Sequence, residues 1–465
     1  MSDSPWLGDA CSLVDAFRAG ERSPVEELEA TLAAIDASDL NAFSFVDADG
    51  ARERARTADV SKPFGGVPVG IKELEHVAGW PATEGSLVFR DRVATYTGTM
   101  VERLRSTGGA NGVGLTTSSE FGGLNISNTK LNGVTHNPWQ PGRTTGGSSA
   151  GSSAAVAGGL VSIATGGDGG GSIRIPAGFC GLFGMKGTAG RIPRGPHTMI
   201  GPLTVVLGCM ARSVRDVARW YDVCAGFDSR DPYSLPSAEG WERGLGTHAD
   251  ELRGRRVVIA PTLGSAVVRP EVEALVREHG EALAKHAGLQ LVDVDVVLPG
   301  LGFEWALANL ATLRAELGDR WPGCKDDLTA EIAFGMEMAS QLVDLEVAGR
   351  YELARTAANQ AMAAVFDQVD FVVAATNPDV AFPAELGINT RGGDQRVGPE
   401  NNGALTIPAN VAGNPAMSIP AGEVDGLPVG LQVIGRHHED ALLLDLALVA
   451  EREQPWPLVA SLPRP

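Results

Sequence analysis

The chain is short of positive charge. Its 38 Lys and Arg stand against 57 Asp and Glu, a net charge of −19 over 465 residues. Nucleic acids and anionic membranes are held by cationic faces, so this balance argues against both as partners. Cysteine is scarce as well. Cys11, Cys180, Cys209, Cys224 and Cys324 make an odd set in a chain long enough to bury a large core without staples. Free thiols in a reducing, cytoplasmic setting are expected, and no cysteine pair has metal-ligand spacing. No apolar run reaches the roughly 18 residues of a membrane span, and the first residues lack a basic-then-apolar leader pattern. Internal repeats and linkers are missing too. No cofactor and no metal are expected.

Histidine is missing from the stretches where nucleophilic residues gather. One such stretch is Gly146-Gly147-Ser148-Ser149-Ala150-Gly151-Ser152-Ser153, and a second is Gly166-Gly167-Asp168-Gly169-Gly170-Gly171-Ser172-Ile173-Arg174. Glycine on both sides of a serine lets backbone N–H groups approach a reacting atom unobstructed. Upstream, Gly66-Val67-Pro68-Val69-Gly70-Ile71 is a short apolar run that delivers Lys72. Two serines and a lysine without histidine point to a hydrolase that does not use the Ser-His-Asp set.

Periodicity gives a coarse map. Ser23-Pro24-Val25-Glu26 is a capping box with proline at the first helical position, followed by Val25, Leu28, Leu32 and Ile35 on one face. The run at 66–71 reads as a buried strand, 100–106 as a helix and 112–116 as a strand. Residues 117–147, rich in Ser, Thr, Asn, Gly and Pro, read as a long functional loop. The small apolar stretch 154–164 reads as a buried helix. Strands at 256–260 and 289–292 around a helix at 271–286 form a βαβ unit. Helices are expected at 328–345 and 350–367, and a strand at 371–374. This alternation predicts an α/β fold with a large mixed sheet covered on both faces by helices.

The serine stretches resemble the amidase signature family. That family's core reads roughly Gly-Gly-Ser-Ser-Gly-Gly-Ser, then an Ala/Gly-rich helix, then Asp-Thr-Gly-Gly-Ser-Ile-Arg. The match here runs from Asn137-Pro138-Trp139 to Cys180-Gly181-Leu182-Phe183-Gly184-Met185-Lys186. Ser23-Pro24-Val25-Glu26 and Leu40-Asn41-Ala42-Phe43 resemble the family's N-terminal segment. Asn414-Pro415-Ala416-Met417-Ser418-Ile419-Pro420 and Gly426-Leu427-Pro428-Val429-Gly430-Leu431-Gln432 resemble its C-terminal one. The resemblance implies one domain over 1–465. Within it lie an N-terminal helical segment at 1–60, a signature core at 61–220 and a variable substrate-pocket subregion at 225–400. The chain departs from the pattern at Ala150, Gly169, Gly187 and Leu115, none of which is a proton-transfer group.

The resemblance also implies roles. Ser172 would be the nucleophile, Ser148 the relay acid and base after a cis Gly147–Ser148 peptide, and Lys72 the terminal base, neutral through burial. Gly169, Gly170 and Gly171 would line an oxyanion hole. Ser149 would orient Lys72, and Asp168 with Arg174 would form a structural ion pair. Gly122 and Gly123 would approach the substrate by backbone. From the residues themselves, Phe303, Trp305, Phe334, Met336 and Met338 hint at an apolar, aryl-accepting pocket, although side chains of this kind more often belong to the core. The expected activity is hydrolysis of a small alkyl or aryl amide, with carbamates and esters close by in chemistry, by a monomer or homodimer. The same family contains the glutamine-hydrolysing subunit of aminoacyl-tRNA amidotransferases, the alternative reading. A nucleotide-binding loop fails because no lysine follows Gly151, as that motif requires.

Overall fold

The computed structural model describes residues 4–126, 128–197 and 204–460. An 11-stranded sheet runs through it in the order 43–46, 111–116, 68–72, 163–168, 206–211, 183–186, 416–424, 427–435, 371–375, 256–259, 290–291. The pairing is mixed. Pro68–Lys72 is parallel to both of its neighbours, and Arg256–Ile259 is parallel to both of its own. The central strands between these two regions pair antiparallel.

Helices cover both faces. Pro270–Ala287 packs on strands 256–259, 371–375, 416–424 and 427–435, and Asp440–Glu453 packs against it. Ala150–Ala157 packs against strands 68–72, 111–116, 163–168 and 206–211. Its eight residues are all buried and all small. Small side chains let this helix settle directly on neighbouring backbone: a Cβ at Gly151 would collide with the Ala42 carbonyl and the Thr117 amide.

Most expected elements are present with edges moved by a few residues. Ser23 caps the helix Pro24–Asp36 in a complete capping box. The βαβ unit is there, with Gln290–Leu291 parallel to Arg256–Ile259. The two later helices span Ala330–Leu342 and Leu345–Phe366. The stretch 154–164 is a correction. Its helix stops at Ala157, the chain turns through Gly158 and Gly159, the latter at φ 77°, and Ile163–Asp168 is a strand. Two consecutive glycines break the helix, and β-branched Ile163 and Thr165 favour the strand after them.

All five cysteines are buried and free. Among the described residues, no helix is long and apolar enough to cross a membrane.

Candidate active site

The register between strands 68–72 and 163–168 builds the site. Val69 pairs with Ile163 and Gly70 with Ala164, in parallel, so both strands end on the same edge of the sheet. Lys72 ends one of them, and the glycine loop 169–171 leaves the other. The backbone N–H of Lys72 donates to Thr165 Oγ1 at 2.7 Å, which ties the two ends together.

Only 2% of Lys72 is exposed. Its Nζ donates to Ser148 Oγ at 2.8 Å, to Ser149 Oγ at 2.9 Å and to the Gly167 carbonyl at 3.3 Å. Three partners saturate an ammonium, and none of them is charged. Burial lowers the Lys72 pKa to about 8, against the pull of the Glu75, Asp168, Glu73 and Glu84 carboxylates. Glu75 feels the same pocket: desolvation raises it to about 7, opposed by Lys72 and His76. Ser149 holds the N-cap position of the helix Ala150–Ala157 with its hydroxyl turned to Lys72 rather than to the helix, and the Gly147–Ser148 peptide before it is cis.

The adjacent Glu73 serves the loop rather than the lysine. Its carboxylate accepts from the Ser118 N–H at 2.7 Å and from Asn132 Nδ2 at 3.0 Å. Gly122 lies in that loop beside the serines; a Cβ there would stand 3.5 Å from Ser148 Oγ. Gly123 faces Ile332 on the helix Ala330–Leu342 instead.

Past strand 163–168 the chain folds around Asp168. Its carboxylate accepts from the N–H groups of Gly171, Ile173 and Arg174, from the Arg174 guanidinium and from Asn410 Nδ2. Burial pushes the Asp168 carboxyl up, but Arg174 and Asn410 outweigh it and hold it well below the usual range. Arg174 is itself fully enclosed and also donates to Gln432 Oε1, Asn410 Oδ1 and the Thr406 carbonyl. Ser172 is half-buried on this loop, and its hydroxyl has no hydrogen-bond partner among the described residues. Gly171 departs from the expectation of three equivalent oxyanion donors. Its N–H already donates to Asp168 Oδ1 at 2.8 Å, which leaves Gly169 and Gly170.

The Amidase family model matches residues 26–444. The chain belongs to the amidase signature family. It is an enzyme, a hydrolase of carbon–nitrogen bonds. A bacterial aryl acylamidase of this family superimposes with a TM-score of 0.89 at 27% identity over 98% of each chain. An acylamidase of Rhodococcus erythropolis is 32% identical, covering 97% of this chain and 96% of its own. A glutamyl-tRNA(Gln) amidotransferase subunit from Chloroflexus aurantiacus is 34% identical over 95% of both chains.

Several residues that hold the family site together here were not expected from the sequence. Gln432, Thr406 and Asn410 all converge on Asp168, Arg174 or the glycine loop. Gln432 had a signal: it is the one polar side chain in an otherwise apolar strand, Leu427–Gly435, and is fully buried. The apolar group at 303–338 is only partly at the site. Phe303 and Phe334 are exposed, and Met336 packs in a core with Leu313 and Leu317. Trp305 alone among them hydrogen-bonds to the glycine loop. His76 pairs with Glu84 at 2.9 Å and packs at a tilt against Tyr96.

Proposed function

We propose that this amidase cleaves the C–N bond of a small alkyl or aryl amide, with carbamates and esters as related substrates, through a Ser172–Ser148–Lys72 relay. The observation that supports the relay is the buried Lys72 Nζ, held 2.8 Å from Ser148 Oγ. Ser172 Oγ attacks the substrate carbonyl carbon and forms the C–O bond. Its proton passes to Ser148, whose own proton passes to neutral Lys72. The carbonyl oxygen, now negative, is met by the N–H groups of Gly169 and Gly170, each such donor typically contributing about 3–4 kcal/mol. Amide nitrogen leaves poorly as an anion, so Ser148 returns a proton to it while Lys72 reprotonates Ser148. The C–N bond breaks, and the acyl group stays on Ser172. Water then attacks the ester through the same relay and releases the acid. Ser149 keeps Lys72 aimed at Ser148, and the Asp168–Arg174 pair holds the glycine loop in shape. Gly122, beside Ser148, lets the substrate approach by backbone.

The 34% identity to the Chloroflexus amidotransferase protein favours a second reading, glutamine hydrolysis within a larger assembly. One assay separates the two. Purified chain is given anilides, alkyl amides, carbamates, esters and glutamine, alongside a Ser172→Ala variant. Turnover of simple amides by the chain alone, lost in Ser172→Ala, is expected. Near-normal turnover by Ser172→Ala overturns the relay. Glutamine hydrolysis that appears only with added partner proteins favours the second reading.

A further inference from the structure

Three successive carbonyls of the glycine loop are each held by a side chain. The Asp168 carbonyl accepts from Asn410 Nδ2 at 2.9 Å, Gly169 from Trp305 Nε1 at 2.9 Å, and Gly170 from Thr406 Oγ1 at 2.6 Å. In a planar trans peptide, the C=O of one residue and the N–H of the next point in opposite directions. Anchoring a carbonyl therefore aims the following N–H. The third anchor shows the rule at work: with the Gly170 carbonyl on Thr406, the Gly171 N–H points at Asp168. By the same geometry, Asn410 aims the Gly169 N–H and Trp305 aims the Gly170 N–H. Neither of these two donors has a partner among the described residues.

Asn410 and Thr406 belong to the network around Arg174. Trp305 comes from elsewhere, from the helix Gly302–Leu317 in the variable part of the chain. Its indole also lies flush on the loop; a Cβ at Gly170 would stand 3.0 Å from the ring.

We propose that Trp305 is a positioning residue whose indole N–H, by holding the Gly169 carbonyl, aims the Gly170 N–H at the oxyanion of the reaction. The inference rests on the acyl-enzyme reading above. It makes the helix Gly302–Leu317 a part of the catalytic geometry and not only of substrate choice.

The test removes the indole donor and keeps the ring. In Trp305→Phe, kcat for the best substrate of the panel falls by about tenfold or more, with KM within about twofold. Affinity for a trifluoromethyl ketone, whose serine adduct carries the oxyanion, falls by a similar factor. Affinity for a non-covalent substrate analogue does not. Should Trp305→Phe fail to fold, benzothienylalanine incorporated at position 305 replaces N–H by sulfur in the same outline and is expected to give the same result. Unchanged kcat in the folded variant, or a loss confined to KM, overturns the inference. Ser172→Ala is the control: if it stays active, the acyl-enzyme reading itself fails. If it is dead while Trp305→Phe retains full kcat, only the role of Trp305 fails.

Discussion

Lys72 and Ser148 are 76 positions apart in the chain, yet their side chains, both buried, meet over 2.8 Å. The contact joins a strand end to the start of a buried helix, and an amine in such a place loses its charge more readily than in solvent. In the proposed relay Lys72 must be neutral to take a proton, so activity would report its ionisation.

With the Lys72 pKa near 8, the neutral fraction grows as pH rises. The kcat/KM for an amide is expected to climb through about pH 8 and level off above it. A pH series on the free enzyme checks this. A profile that is flat or falling across that range would count against Lys72 as the base.

Glu75 is the carboxylate that raises the Lys72 pKa most. Glu75→Gln removes that negative charge without touching the relay. The rising limb of the profile is expected to move to lower pH, and an unmoved limb would show that Glu75 and Lys72 do not sense each other.

Lys72→Ala should penalise amides far more than activated esters. A good leaving group departs without the proton that Ser148 would deliver in the proposed relay; an amine does not. Matching the two losses on one preparation, anilide against nitrophenyl ester, is the measurement. Equal losses would leave Lys72 a structural part only.

Arg174→Ala leaves Asp168 charged and enclosed with its main partner gone. Breaking a buried pair in this way costs about 3–5 kcal/mol, and urea unfolding should show an unfolding free energy lower by that amount. A loss well under 1 kcal/mol would mean that water reaches the site.

Gly151→Ala adds one methyl where the Ala42 and Thr117 backbone leaves no room. Overpacking of this kind costs about 1–3 kcal/mol. Because the strain falls one turn from Ser148 and Ser149, turnover is expected to drop along with the melting temperature. A variant with unchanged melting temperature and turnover would show that the helix can shift freely.

The candidate site was legible because it is written locally. Glycine around Ser148 and Ser172, and an apolar run ahead of Lys72, are short-range statements about backbone access and burial. The helix expected at 154–164 misled because small apolar residues suit helix and strand alike, and Gly158-Gly159 carried the boundary. The anchors of the glycine loop were hidden for another reason. Trp305, Thr406 and Asn410 stand far along the chain from Gly169 and Gly170, and nothing in their own neighbourhoods announces a catalytic loop.

By itself, then, the sequence determined which side chains are candidates to move protons, which glycines leave backbone bare, and that strands alternate with helices. Tertiary structure alone decided that the Gly171 N–H is spent on Asp168 and that Trp305 holds the Gly169 carbonyl. Propensity and periodicity act over a few residues. Hydrogen-bond direction at the site depends on strand register and helix packing across the whole fold, which no local stretch encodes.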